Sequence, residues 1–266
     1  MADGFNIRRQ TGFTTIAAIT FFLLYLPIIL LVIYSFNAGT SIAIWEGFSW
    51  RWYVSAWANE RVQEATIRSL IIALWASGIS TSVAVLAALA TTRTRKFKGQ
   101  GAVFAMINQP LMVPEIVTAV ALLIFFAMIK VATGYTGLAY LVIAHAAFCI
   151  PFAYLPIRAR LQGMDLNLEQ AASDLYAPPF QVFRRITLPQ LWPGILAGAM
   201  LAFVISLDDV VITEFVKSAG QDTLPTYMLG QLRRVVTPEV NAISTVLLAI
   251  SVTMVIAFTA VSKLKT

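Results

Sequence analysis

The chain has 266 residues, of which 59% are hydrophobic and 12% charged, and its mean hydropathy is +0.78. A soluble domain averages roughly 45–50% apolar and 25% charged residues, so this composition excludes an ordinary water-soluble globule and makes lipid the solvent. The formal net charge of +6 comes from short basic segments between apolar runs, which is the pattern of membrane topology and not of a nucleic-acid-binding surface.

A bilayer core about 30 Å thick needs roughly 20 apolar residues per helix. Six segments qualify: 13–36, 67–91, 102–129, 137–157, 191–215 and 240–262. The chain therefore reads as all-α, a polytopic membrane protein with about six transmembrane helices. The first segment is too long for a cleaved signal, and no small-residue cleavage site follows it. It reads as a retained helix whose start is held in the cytoplasm by Arg8 and Arg9. The following loop, 37–66, carries Trp45, Trp50, Trp52, Tyr53 and Trp57. Such rings favour the headgroup layer, so an interfacial helix on the outer leaflet is the simpler reading, with a docking face for an external partner as the other. The small residues of 76–90 and 194–202 suit close helix packing. Asn108, Pro110, Pro114 and Glu115 interrupt the third span, which is tolerated where neighbouring helices or a cavity satisfy the backbone. His145, alone in an apolar span, reads as a hydrogen-bonded packing residue, and Cys149, the single cysteine, as a packed thiol.

With the N-terminus inside, 12 of the 19 Lys and Arg fall in inner segments (8–9, 93–98, 158–160, 184–185 and 263–265), against seven in outer ones. This positive-inside bias places both termini in the cytoplasm. The longest inner segment, 158–190, is built more elaborately than a connection needs. Leu168, Ala171, Ala172 and Leu175 recur at helical spacing and predict an apolar face on a helix over Leu166–Tyr176, with Glu169 and Asp174 on its polar side. Asp165 or Asn167 can cap it, and Pro178 and Pro179 stop it. A second short amphipathic piece, Phe180–Ile186, is expected to end at the helix breaker Pro189. Paired alanines admit close approach by another chain, as a docking element requires.

This loop resembles the cytoplasmic motif of binding-protein-dependent ABC importer permeases: Glu-Ala-Ala, three residues, Gly, nine residues, Ile-x-Leu-Pro. Ala171 and Ala172 match the alanine pair, and Ile186, Leu188 and Pro189 match the tail. Gln170 stands at the usual Glu, although Glu169 precedes it, and Tyr176 stands at the usual Gly, where φ > 0 suits glycine far better than tyrosine. The segments 110–126, 206–216, 222–230 and 237–251 are similar to the second permease subunit of spermidine/putrescine-type importers. The resemblance implies a type I ABC importer permease fold, with 1–266 as one transmembrane permease domain in a bacterial inner membrane. In that family the loop is a coupling helix seated in a groove of the ATPase, which assigns ATPase coupling to Glu169, Gln170, Ala171, Ala172, Asp174, Leu175, Tyr176, Ile186, Leu188 and Pro189. The implied partners are a second related permease, two copies of a cytoplasmic ATP-binding subunit, a periplasmic solute-binding protein and a small cationic substrate. The chain has no Walker A sequence, so it is expected neither to bind ATP nor to be an enzyme itself, and no cofactor, metal or catalytic residue is expected.

Ionisable groups within spans are costly and mark functional candidates. Glu115, Asp208 and Asp209 are the ones that stand out. At 1.5 Å per residue, Glu115 lies roughly 20 Å beyond Gly101 and Asp208 roughly 28 Å beyond Pro189, so the carboxylates can converge in the outer half of the membrane. Spaced carboxylates with aromatic walls (Tyr135, Tyr140, Trp75 and Phe203 are the candidates) suit a flexible chain of ammonium groups. The plainer alternative pairs Asp208 and Asp209 with Lys217 or a partner's arginine. Successive helix positions diverge by about 100°, so only one of the two aspartates is expected to face a pathway. A permease for another solute also fits. A membrane anchor of an enzyme complex explains six helices but not the spacing from Ala171 to Pro189, and a secondary transporter would be favoured by an internal repeat that the chain does not show.

Overall fold

The computed structural model describes residues 11–42, 44–94, 97–233 and 237–263; Arg8, Arg9, Arg95, Lys96, Arg234 and Lys265 lie outside them, and of Lys263 only the backbone is described. Among the described residues twelve helices follow in chain order: α1 Thr11–Tyr34, α2 Arg51–Ala58, α3 Glu60–Thr92, α4 Gln100–Met112, α5 Glu115–Thr133, α6 Ala139–Gln162, α7 Asn167–Asp174, α8 Pro179–Val182, α9 Leu188–Asp208, α10 Val211–Val216, α11 Leu224–Leu232 and α12 Pro238–Lys263. A π-helical turn, Phe183–Thr187, joins α8 to α9. Among the described residues six helices are long and apolar enough to cross a membrane.

Two of the expected spans are broken. Segment 102–129 is two helices, because Pro114 has no N–H to donate and holds Val113 extended, at φ −100 and ψ 136. The span then restarts at Glu115 and runs to Thr133, where Gly134 closes it in the left-handed conformation. Segment 191–215 breaks between α9 and α10, at Asp209–Val210. Conversely, the expected break at Pro189 is absent: one helical segment runs from Pro179 to Asp208. The proline falls in the first turn of α9, where a missing N–H is best tolerated. Just before it the ladder slips to i→i+5, with Leu188 N–H donating to Phe183 O.

The chain divides into two compact units, Met1–Glu60 with Gln231–Ile250, and Arg61–Gly230 with Ser251–Thr266. In the first, α1 exposes apolar side chains all round, among them Phe22, Leu23 and Leu24, as expected of a helix solvated by lipid. The loop after it is organised by the fully buried Asn37. Its Nδ2 donates to Ser41 O (2.9 Å) and Ile44 O (2.7 Å), while its Oδ1 accepts from Glu46 N (2.8 Å). The tryptophan-rich segment does form a helix, α2, but Trp52 points inward, donating from Nε1 to Gly39 O at 3.1 Å, whereas Trp57 is 81% exposed.

In the second unit α6 is the central element, contributing the buried Leu141, Cys149, Ala153, Tyr154 and Ile157. It packs along α9 through a stripe of small residues four apart, Gly194, Gly198 and Ala202, all buried, which lets the two backbones meet. A Cβ at Gly198 would lie 2.7 Å from Ala153 O. Cys149 Sγ contacts Ala202 O at 3.4 Å, so the thiol is packed. α3 is sealed by Ala73, Ala76, Ser80, Ala84 and Ala88, and Ser77 Oγ donates to Ala199 O at 2.6 Å.

Candidate functional site

Two sets of residues carry the candidate functions. In the loop, the N-cap position of α7 is Leu166 and makes no side-chain cap; Asp165 Oδ1, one residue earlier, accepts from Asn167 N at 2.9 Å. The helix is shorter than Leu166–Tyr176, and its expected apolar face is largely uncovered. Leu168, Ala171 and Leu175 are exposed and Ala172 is half-buried. Gln170, Asp174 and Pro189 are exposed as well; Ile186 and Leu188 are half-buried. Glu169, expected on the polar side of the helix, turns its carboxylate inward to polar partners, accepting at Oε1 from Arg93 Nε at 3.2 Å and from Thr187 Oγ1 at 2.9 Å.

Tyr176 adopts φ 57, the sole positive φ of a non-glycine residue among those described, and is 95% exposed. The geometry is a Schellman close: Ala177 N donates to Ala172 O (3.1 Å) and Tyr176 N to Ser173 O (2.9 Å). The turn that glycine would make is thus kept by a side chain that strains it by roughly 1–2 kcal/mol. Tyr176→Gly is expected to stabilise the loop by about 1 kcal/mol, slowing limited proteolysis within 163–178 about five-fold. An unchanged cleavage rate would show that the strain is relieved elsewhere.

The second set lies where the broken helices meet. α5 and α10 pack together and bring Glu115 against Asp209, close enough for the carboxyls to interact. Asp209 is buried at the helix break. Its Oδ2 accepts from Thr213 N (2.9 Å) and Thr213 Oγ1 (2.8 Å), and its Oδ1 from Ile212 N (3.3 Å), so the side chain satisfies the donors that the break releases at the start of α10. His145 Nε2 lies 2.9 Å from Thr213 Oγ1 and 3.4 Å from Asp209 Oδ2, and its Nδ1 lies 2.8 Å from Ser206 Oγ. Since the Thr213 hydroxyl proton goes to Asp209, the hydroxyl oxygen accepts from the imidazole Nε2–H. A neutral ring then takes the Ser206 proton at Nδ1. The neighbouring Asp208 has an exposed side chain, so the two aspartates do point apart.

Neither aspartate uses Lys217. Its Nζ donates to Glu214 Oε2 (2.6 Å) and Asp222 Oδ1 (2.7 Å). Burial pulls its pKa down, but Asp222 and Glu214 outweigh that and hold it above the ordinary lysine value. Of the candidate aromatic residues, Tyr140 is buried between Phe126 and Tyr135 at 5.0 and 5.3 Å, Phe203 is half-buried, and Trp75 and Tyr135 are exposed. Thr187, Ser206 and Thr213 escaped the sequence reading, and Arg93 entered it only as part of the basic segment 93–98. Only Thr213, a hydroxyl four residues after an intramembrane aspartate, offered a local signal.

Residues 80–264 match the family model described as a binding-protein-dependent transport system inner membrane component. The chain belongs to that family. As a permease, it is 39% identical over 233 residues (88% of this chain, 89% of the relative) to the spermidine/putrescine transport system permease protein PotC of Haemophilus influenzae. It is 38% identical over 231 residues to the putrescine transport system permease protein PotI of Escherichia coli, covering 86% of this chain and 82% of that one. The permease fold is shared with a solved bacterial ABC transporter that imports the acidic polysaccharide alginate, at TM-score 0.70 and 18% identity over 94% of this chain and 93% of the other. This permease is a multi-pass inner-membrane component of a binding-protein-dependent transport system.

Proposed function

We propose that the permease serves an ATP-driven importer of polyamines, the spermidine and putrescine class, as one transmembrane domain over 1–266 with both termini in the cytoplasm. It pairs with a second, related permease above two copies of the ATPase. The observation that carries this reading is its 36–39% identity, over most of its length, to permeases of spermidine and putrescine systems. The membrane carboxylates suit such a cargo chemically, because a polyamine presents ammonium groups separated by methylenes. Asp208 is the strongest candidate for a pathway contact: its side chain is exposed, while that of Asp209 is occupied by Thr213, Ile212 and His145. Glu115, half-buried beside Asp209, is the second candidate. At the inner face the uncovered side of α7 seats against the ATPase, so that nucleotide-driven closure moves the loop and the bundle alternates its access. Affinity for the cargo within the membrane can be weak, since the periplasmic protein captures it.

ATP-dependent uptake of radiolabelled spermidine and putrescine into proteoliposomes holding the complete complex tests the reading. Wild type is expected to accumulate both or one of them, and Asp208→Asn to lose at least ten-fold in rate while assembly and ATP hydrolysis persist. A complex that hydrolyses ATP yet moves neither amine would end the polyamine assignment and leave only the importer subunit.

A further inference from the structure

We propose that Arg93, Glu169 and Thr187 form the strut through which the docking loop moves the membrane helices. The inference rests on the reading of α7 as the ATPase-docking element and goes beyond it by naming what the docked helix pulls on. The covalent chain connects α7 to the spans through Gly163–Leu166 on one side and Leu175–Pro178 on the other. Both are short non-helical links about which an eight-residue helix can pivot, so backbone continuity alone would let α7 rock without moving a span.

The Glu169 carboxylate removes that freedom. Arg93 Nε donates to Oε1 at 3.2 Å and lies 3.0 Å from Oε2, and Thr187 Oγ1 donates to Oε1 at 2.9 Å. Arg93 follows the last turn of α3, and Thr187 closes the π turn that leads into α9. One side chain in the first turn of α7 is therefore bonded to the inner ends of two membrane helices. The side chains of Arg93 and Glu169 are only 18% and 17% exposed, and Thr187 is buried. The pair is thus sheltered from the solvent and salt that weaken surface ion pairs. Displacement passes onward from α3, because Thr91 Oγ1 and Tyr154 Oη lie 2.9 Å apart and join α3 to the central helix α6. The π turn that Thr187 closes is a suitable place for movement, since such turns inside helices recur at functional sites.

The test uses the assembled complex with its own periplasmic binding protein, reading the factor by which that protein stimulates ATP hydrolysis, alongside retention of the ATPase on purification. Glu169→Gln and Arg93→Gln complexes are expected to keep the ATPase bound while the binding-protein-dependent rate falls about ten-fold, within the usual range for coupling between sites. The exchanged pair Arg93→Glu with Glu169→Arg is expected to recover a large part of it. Thr187→Val is expected to lose several-fold and Thr187→Ser to behave as wild type, which keeps the question open to decision if the charge variants do not assemble. Full stimulation in Glu169→Gln, or equal behaviour of Thr187→Val and Thr187→Ser, overturns the strut while leaving docking intact. Loss of the ATPase from Glu169→Gln also overturns it, making Glu169 a docking contact. A wild-type complex that holds no ATPase removes the docking reading on which the strut depends.

Discussion

Gly198→Val is expected to prevent α9 from seating on α6 and to abolish recovery of monodisperse permease. The first added carbon would sit 2.7 Å from Ala153 O and 3.2 Å from Ala153 Cα, and both are backbone atoms of the facing helix. A flexible side chain could move aside; a packed helix can do so only by separating the pair along its length. Overpacking a fitted contact costs about 1–3 kcal/mol, and the branched valine, placed against backbone, belongs at or above the upper end. Fluorescence-detected size exclusion on heated samples reads the loss directly. Gly78 in α3 is the control, since nothing lies within 4 Å of its added carbon. Gly78→Ala should leave the profile unchanged or raise the melting temperature slightly, as expected when a helix glycine with free space gains a methyl group. If Gly198→Val melted like wild type, the contact between α6 and α9 would not be the close approach described above.

Asp209→Ala is expected to be the most damaging single change among the membrane carboxylates, and to act on folding before it acts on transport. Three bonds end on that carboxylate, from Thr213 N, Thr213 Oγ1 and Ile212 N, with His145 Nε2 at 3.4 Å. Alanine leaves those donors buried without an acceptor. Leaving a buried donor without its acceptor costs roughly 1–3 kcal/mol for each group. Asp209→Asn keeps an acceptor for one of the backbone donors and should fall between. Asp208→Asn, at an exposed side chain, should leave the melting temperature close to wild type. The comparison of melting temperature and uptake across these variants separates a structural carboxylate from a transport carboxylate. Wild-type stability in Asp209→Ala would refute the account of how α10 is capped.

The spans were legible because hydrocarbon imposes a crude rule, about 20 apolar residues without interruption. Their interruptions were legible only in part. Pro114 announces the α4–α5 break through a missing donor, but the α9–α10 break has neither proline nor glycine, and it exists because the Asp209 side chain offers the following amides a better acceptor than the helix would. Pro189 misled, since the same residue that breaks a helix interior is compatible with a first turn, and only the preceding π turn distinguishes the two cases. The motif spacing located the short helix between α6 and α9 and, through the expected glycine, the left-handed turn that Tyr176 makes. Helical periodicity put Glu169 on the polar side of α7 but could not name its partners, which are 76 and 18 positions away in sequence. No local pattern encodes contacts of that range.

The π turn also sets a phase. Each residue of an α-helix turns the chain by about 100° and advances it by 1.5 Å, so a turn that accommodates one residue beyond the α ladder makes the angular bookkeeping between loop and span differ from what residue number suggests. Everything before Phe183 is dialled round the axis of α9 relative to an uninterrupted helix, and the Thr187 hydroxyl meets Glu169 in that setting. The number of residues between the alanine pair and Pro189 therefore acts less as a tether length than as a clocking mark, which fixes the compass bearing of α7 against α9.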